Sequence, residues 1–222
     1  MLYLVPTPIG NLEDITYRAV RTLRDVDLIA CEDPSTSGVL LDHYDIDTPT
    51  TRYHDHNERE KTPDLITRMR AGHDVAVISD AGAPGISDPG FYLTRACWQE
   101  EIEVEALPGP TALIPALTAS GLPSDRFVFE GFLPKKSGRQ TRLQTLSTDP
   151  RTLVFYESPY RLLRTLEDLI DHVGPERPAA VARELTKQYE EIERGTLAEV
   201  RSYFAAYENL RGECVIVVHG AD

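Results

Sequence analysis

Short apolar, β-branched runs alternate along the chain with stretches in which apolar residues recur every three to four positions, as in α/β units on a largely parallel sheet. The runs predict strands over Leu2 to Val5, Asp27 to Cys31, Val75 to Ser79, Val104 to Leu107, Leu153 to Tyr156, Ala179 to Arg183 and Val215 to Val218. One intervening helix carries signals at both ends. Thr62 is placed to cap it, Pro63 takes its first position, Leu65, Ile66 and Met69 share a face, and Gly72 follows as a stop. A second is predicted from about Pro159 to His172, where Leu162, Leu163, Leu166, Leu169 and Ile170 fall at helical spacing. The small, chain-breaking segment Ala119 to Asp125 predicts a division into one α/β domain over residues 1–118 and another over 119–222.

Composition narrows the class. With 41% apolar and 27% charged residues in 222, the chain can bury a core and is unlike a disordered segment. No run approaches the ~18 apolar residues of a spanning helix, and Met1-Leu2-Tyr3 lacks the basic-then-apolar opening of a secretory signal, so a cytoplasmic protein without a membrane segment is expected. Cys31, Cys97 and Cys214 are widely separated and have no partner at ligand spacing, which argues against a disulfide framework and against a metal site. The 36 acidic residues exceed the 23 basic ones, a net charge of −13 that weakens attraction to any polyanion. Such an excess fits surroundings salty enough to screen its self-repulsion.

Three loops follow predicted strands, where ligands of open α/β sheets bind. Pro6-Thr7-Pro8-Ile9-Gly10-Asn11 is stiffened by two prolines. Ser79 to Gly90 packs three glycines, two prolines and two aspartates into twelve residues. It has neither a GxGxxG fingerprint nor a phosphate-cradling GK[ST], and its carboxylates favour a ligand with hydroxyls, an amine or a positive centre. In Pro108-Gly109-Pro110-Thr111-Ala112, Thr111 is placed to cap a helix starting near Ala112.

In this order, VPTPIGNLEDIT (Val5 to Thr16), ACED (Ala30 to Asp33), HxHNE (His54 to Glu58), SDAGAPGISDPG (Ser79 to Gly90), LPGPTAL (Leu107 to Leu113), TLVFYESPYRL (Thr152 to Leu162) and ARELTKQYEE (Ala182 to Glu191) resemble the tetrapyrrole methylase family. The match is to its branch that methylates the ribose 2′-oxygen of a cytidine in 16S ribosomal RNA, and it spans nearly the whole chain. The resemblance implies two α/β domains with mostly parallel sheets, a cleft between them for S-adenosylmethionine, a homodimer, no metal, and 16S rRNA within the small ribosomal subunit as partner. It further implies cofactor contacts from Pro8, Ile9, Asp80, Ala83, Thr111, Ala112 and Tyr156, with Glu213 a weaker candidate.

Methyl transfer to a ribose hydroxyl needs a group to accept its proton. Glu32, Asp33, Glu58 and Glu184 qualify, as do His54 and His56, and the residues alone do not choose among them. Each has a plainer reading: Glu32 or Asp33 as a helix cap, the histidines as loop residues, Glu184 in a charge cluster with Arg183 or Lys187. Only Lys135-Lys136-Ser137-Gly138-Arg139-Gln140-Thr141-Arg142 concentrates positive charge without an acid, so Lys135, Lys136, Arg139 and Arg142 are the expected RNA contacts, on a mobile loop that Arg151, Arg161 and Arg164 extend. Pro34-Ser35 stands where the family usually continues Thr-Arg, removing a candidate phosphate contact. Ala83, where the family often has Thr, lacks only a hydroxyl. Two other readings share this pattern: methylation of a corrin or porphyrin precursor, and a non-catalytic module that keeps the cofactor cleft and binds RNA or a protein.

Overall fold

A computed structural model of the chain describes residues 1–221, which form two compact units, one over Met1–Thr111 and one beginning at Ala112. In the first unit the elements run β1 (Leu2–Leu4), a 3-10 turn (Leu12–Asp14), α1 (Tyr17–Asp25), β2 (Leu28–Cys31), α2 (Pro34–His43), β3 (Thr50–Arg52), α3 (Glu58–Arg70), β4 (Val75–Val77), α4 (Phe91–Gln99) and β5 (Val104–Ala106). The strands form one parallel sheet in the order β3-β2-β4-β1-β5, with Leu2 opposite both Val75 and Val104. Neighbouring strand residues feed opposite faces. Ile29 and Ala76 join Val5, Leu23 and Ile78 in one core cluster, while Ala30, Val75 and Val77 join Leu65, Met69 and Leu93 in the other. Burial on both faces is why these strands read as continuous apolar runs.

The second unit contains α5 (Leu113–Ser120), β6 (Phe127–Phe132), α6 (Arg139–Leu146), β7 (Thr152–Glu157), α7 (Leu162–Val173), β8 (Pro178–Arg183), β9 (Glu191–Thr196), α8 (Leu197–Ala205) and β10 (Cys214–Val218). Its sheet has the order β6-β7-β10-β8-β9. Here the expected parallel pairing holds only for β6 with β7. The last strand, β10, inserts antiparallel between β7 and β8, and β8 and β9 are antiparallel too. Over both sheets parallel pairing still predominates. The core beneath is built from Leu143, Phe155, Leu166, Val181, Phe204 and Ile216.

All seven predicted strands are present, within a residue or two of their expected ends. The unpredicted β3, β6 and β9 are all sheet edges. The expected division after residue 118 falls inside α5, which packs on β8 and β10 of the second unit; Gly121, in the left-handed region at φ 74°, ends that helix. Two caps differ from expectation. The helix expected to be capped by Thr62 and to begin at Pro63 starts five residues earlier, at Glu58, so Pro63 lies within it, and the buried Thr62 hydroxyl meets the Tyr53 hydroxyl at 3.3 Å. At α5 the cap position belongs to Ala112 rather than Thr111.

Candidate functional site

Strands β4, β1 and β5 are neighbours in a parallel sheet, so the three glycine- and proline-rich loops leave the same edge side by side. Backbone bonds join the first two. Thr7 N–H donates to the Gly82 carbonyl and Gly82 N–H to the Thr7 carbonyl, each at 2.9 Å. The buried Thr7 hydroxyl donates to the Ser79 carbonyl at 2.9 Å, and the Ser79 hydroxyl to the Gly82 carbonyl at 3.0 Å. The third loop packs so closely on the first that a Cβ on Gly109 would lie 2.8 Å from Pro6 Cβ. Within the second loop, Gly90 adopts φ 140° with its α-carbon against the Gly85 amide, where an added Cβ would lie at 3.1 Å. Side chains are excluded from both positions.

The first two loops and the start of α2 line an open cavity of about 410 Å³, with Thr7, Pro8, Thr36, Val39, Ile78 and Asp80 among its walls. That volume lies in the range of small-ligand sites. Asp80 is the cavity's acidic lining residue, and Asp33 and Glu32 stand beside it. The Asp33 amide donates to Asp80 Oδ1 at 3.4 Å, and burial together with the Asp33 carboxylate raises the Asp80 pKa. Glu32, beside it, is raised by desolvation and then by the charge of Asp80, against the lowering effect of a hydrogen bond from the Asp80 amide. Its Oε1 is buried without a hydrogen-bond partner among the described residues. Asp33 goes the other way: its carboxylate caps α2, accepting from the Ser35 amide at 3.1 Å, and is stabilised by Ser35 and by Arg52 at 3.7 Å. The Pro34-Ser35 pair therefore has a local role, with proline at the first turn of α2 and a serine amide for the cap.

The remaining expected residues divide. Pro8 lines the cavity, Ile9 lies buried against Gly82, and Ala83 is half-buried in the second loop. Thr111 ends the first unit; Ala112, Tyr156 and Glu213 belong to the second. There the Tyr156 ring meets Phe129 and Phe132 edge-on, at centroid distances of 4.9 and 5.8 Å, and the exposed Glu213 carboxylate accepts Lys187 at 3.2 Å. Glu58 opens α3, His56 is exposed, and His54 Nδ1 is buried without a partner among the described residues. Glu184 takes the plainer reading, an ion pair with Lys187 at 2.9 Å.

The basic run is corrected in two respects. Arg139, expected at the RNA surface, is only 4% exposed, because its guanidinium is held by Asp168 at 2.6 Å, Thr165 at 2.8 Å and the Pro134 carbonyl at 3.3 Å. Arg142 is clasped in two bonds of 2.6 Å by Glu130, the residue at the bulge in β6. The expected mobile loop is half helix, since α6 begins at Arg139. Exposed cations remain at Lys135 and Lys136. Thr7, Thr36 and Val39 were not anticipated in the site; the Asp33-Pro34 signature of a helix start right after β2 was the available signal for the last two.

Among the described residues no helix is long and apolar enough to cross a membrane, and no group of three or more His, Cys, Asp or Glu is placed to hold a metal ion. Residues 1–201 match the family described as Tetrapyrrole (Corrin/Porphyrin) Methylases. The chain is 54% identical over 223 residues to "Ribosomal RNA small subunit methyltransferase I" of Synechocystis sp., covering 100% of this chain and 79% of the relative. It is 53% identical to the protein of the same name from Pseudomonas aeruginosa, covering 99% and 78%. A crystal structure of uroporphyrin-III C-methyl transferase from Thermus thermophilus, complexed with S-adenyl homocysteine, superposes with a TM-score of 0.67 at 22% identity, covering 97% of this chain and 96% of that one.

Proposed function

The chain belongs to the tetrapyrrole methylase family, and from that premise we propose that it is an S-adenosylmethionine-dependent methyltransferase of small-subunit ribosomal RNA, acting at the ribose 2′-oxygen of a cytidine in 16S rRNA. The observation that carries the reading is the Asp80-bearing cavity lined by the two joined loops after β1 and β4 and by α2, in a chain about half identical to proteins named ribosomal RNA small subunit methyltransferase I. It works in the cytoplasm, as a homodimer and without a metal.

The cavity fits the cofactor: Pro8, Val39 and Leu40 offer an apolar wall, and Asp80 an acceptor for hydroxyl or ammonium groups. When bound, S-adenosylmethionine supplies a methyl group on a positively charged sulfur. The loops hold that ligand in a fixed pose, and alignment of the reacting atoms contributes on the order of 7 kcal/mol or more. Ala83, Thr111, Ala112, Tyr156 and Glu213 remain cofactor contacts of this reading. Among the proton acceptors, Glu32 suits the task best. Its Oε1 is buried without a hydrogen-bond partner among the described residues, and its raised pKa favours accepting a proton, whereas Asp33 is engaged as a cap and Glu184 by Lys187.

Incubating the protein with labelled S-adenosylmethionine and undermethylated small subunits, then mapping label to sugar or base, tests this. Label on a cytidine ribose of 16S rRNA is expected. Label on no RNA overturns the reading, and transfer to a tetrapyrrole replaces it.

A further inference from the structure

Strands β6 and β7 are the parallel pair of the second unit, with Phe132 in register with Tyr156, so the turns after them leave the same edge of the sheet. The turn after β6 carries the exposed Lys135 and Lys136; the turn after β7 carries Tyr160, 88% exposed. Phe132, 53% exposed at the end of β6, lies edge-on to Tyr156 near the end of β7.

A buried polar chain ties the two turns together. Arg139 donates to the Pro134 carbonyl of the first turn at 3.3 Å and to the Thr165 hydroxyl at 2.8 Å. Thr165 donates to Glu157 Oε2 at 2.7 Å. The Glu157 carboxylate, wholly buried, uses Oε1 to accept the Ser158 amide at 2.7 Å and Arg161 at 2.6 Å, which fixes the second turn. Asp168 balances Arg139 from α7 at 2.6 Å. Five charged or polar side chains thus anchor the backbone of two turns that carry two cations and an exposed tyrosine, in a protein whose overall charge is −13. An exposed tyrosine gains nothing from the core by standing there.

We infer that this edge of the second unit is a single-stranded RNA-binding surface, in which Lys135 and Lys136 meet phosphates and Tyr160 and Phe132 stack on bases, with Arg139, Thr165 and Glu157 as positioning residues. Stacking on aromatics combined with backbone neutralisation is how single strands are held without reading their sequence. The inference rests on the rRNA reading above for its choice of nucleic acid over an acidic peptide, which cannot supply bases to stack.

The test titrates the full chain with a short pyrimidine-rich single-stranded RNA over a range of salt. Tyr160→Ala should weaken binding about tenfold while Tyr160→Phe keeps most of it. Replacing Lys135 and Lys136 with Ser should lower the slope of log affinity against log salt by about 1.4, near 0.7 per phosphate contact. Thr165→Val should raise KM for small subunits with kcat retained, and Thr165→Ser should restore it. Unchanged affinity in Tyr160→Ala, or an unchanged slope in the lysine variant, overturns the surface; loss of stability in Thr165→Val with KM unchanged overturns the positioning role. Because Tyr160 and both lysines are exposed, their removal leaves the fold intact. Methylation of 16S rRNA with RNA binding unaffected by these changes sinks this inference alone. RNA binding lost as expected, without methylation of any RNA, sinks the enzymatic reading alone.

Discussion

Thr7 and Gly82 exchange both of their backbone hydrogen bonds at 2.9 Å, so the loops after β1 and β4 behave as one piece of backbone. The Thr7 hydroxyl extends the junction to the Ser79 carbonyl. Thr7→Val keeps the shape and deletes that hydroxyl, leaving a buried carbonyl short of a donor, which should lower stability by about 1–2 kcal/mol. Chemical unfolding checks the first effect. Calorimetry with S-adenosylmethionine should show weaker binding in the same variant, and equal affinity would separate the junction from the site.

Asp80 couples stability to ligand affinity in opposite directions. Its folded pKa is raised, so the folded state holds its proton more tightly than the unfolded chain does. Stability therefore falls as pH rises from the ordinary carboxylate range through the folded pKa, and the penalty is complete above it. Asp80→Asn should then be more stable than the parent at pH 7, with the difference vanishing in acid below the ordinary pKa, near 4. The same substitution should weaken cofactor binding by about 1–3 kcal/mol through loss of a charged acceptor. Urea midpoints at the two pH values, beside calorimetric affinities, decide both halves.

Arg139 and Asp168 form the most enclosed ion pair of the second unit, with side chains 5% and 17% exposed. Asp168→Ala strands a guanidinium in the interior and should destabilise by about 3 kcal/mol. Asp168→Asn, which keeps an acceptor, should be milder. Equal losses in thermal unfolding would mean that the charge contributes nothing beyond the hydrogen bond.

With a net charge of −13, self-repulsion weakens the compact state wherever it is not screened. The unfolding midpoint should rise as salt increases from low to molar concentration, steepest at the low end where the screening length shortens through about 10 Å. A midpoint that does not move with salt removes the case for adaptation to a salty environment.

The sheet interiors were legible in the residues, because Ile29, Ala30, Val75, Ala76 and Val77 pack on both faces of β2 and β4 and so read as unbroken apolar runs. The loop glycines and prolines were legible for a related reason: the backbone at Gly90 and Gly109 has no room for a side chain. The edge strands β3 and β9 were not, since Thr50–Arg52 and Glu191–Thr196 carry the polar residues that solvent demands, and the apolar β6 went unpredicted without such a reason. Chain order likewise says nothing of β10 entering antiparallel between β7 and β8, which depends on where the last segment can bury Val215 to Val218. Charge was the least legible property. Arg139 and Lys136 are three residues apart in one basic run, yet one faces solvent and the other faces Asp168 and Thr165, partners contributed by α7 from nearly thirty residues away. Composition and spacing determined which residues could bind a cofactor or RNA; only the packing of distant segments decided which of them were left available to do so, because a charge is neutralised by neighbours in space rather than in sequence.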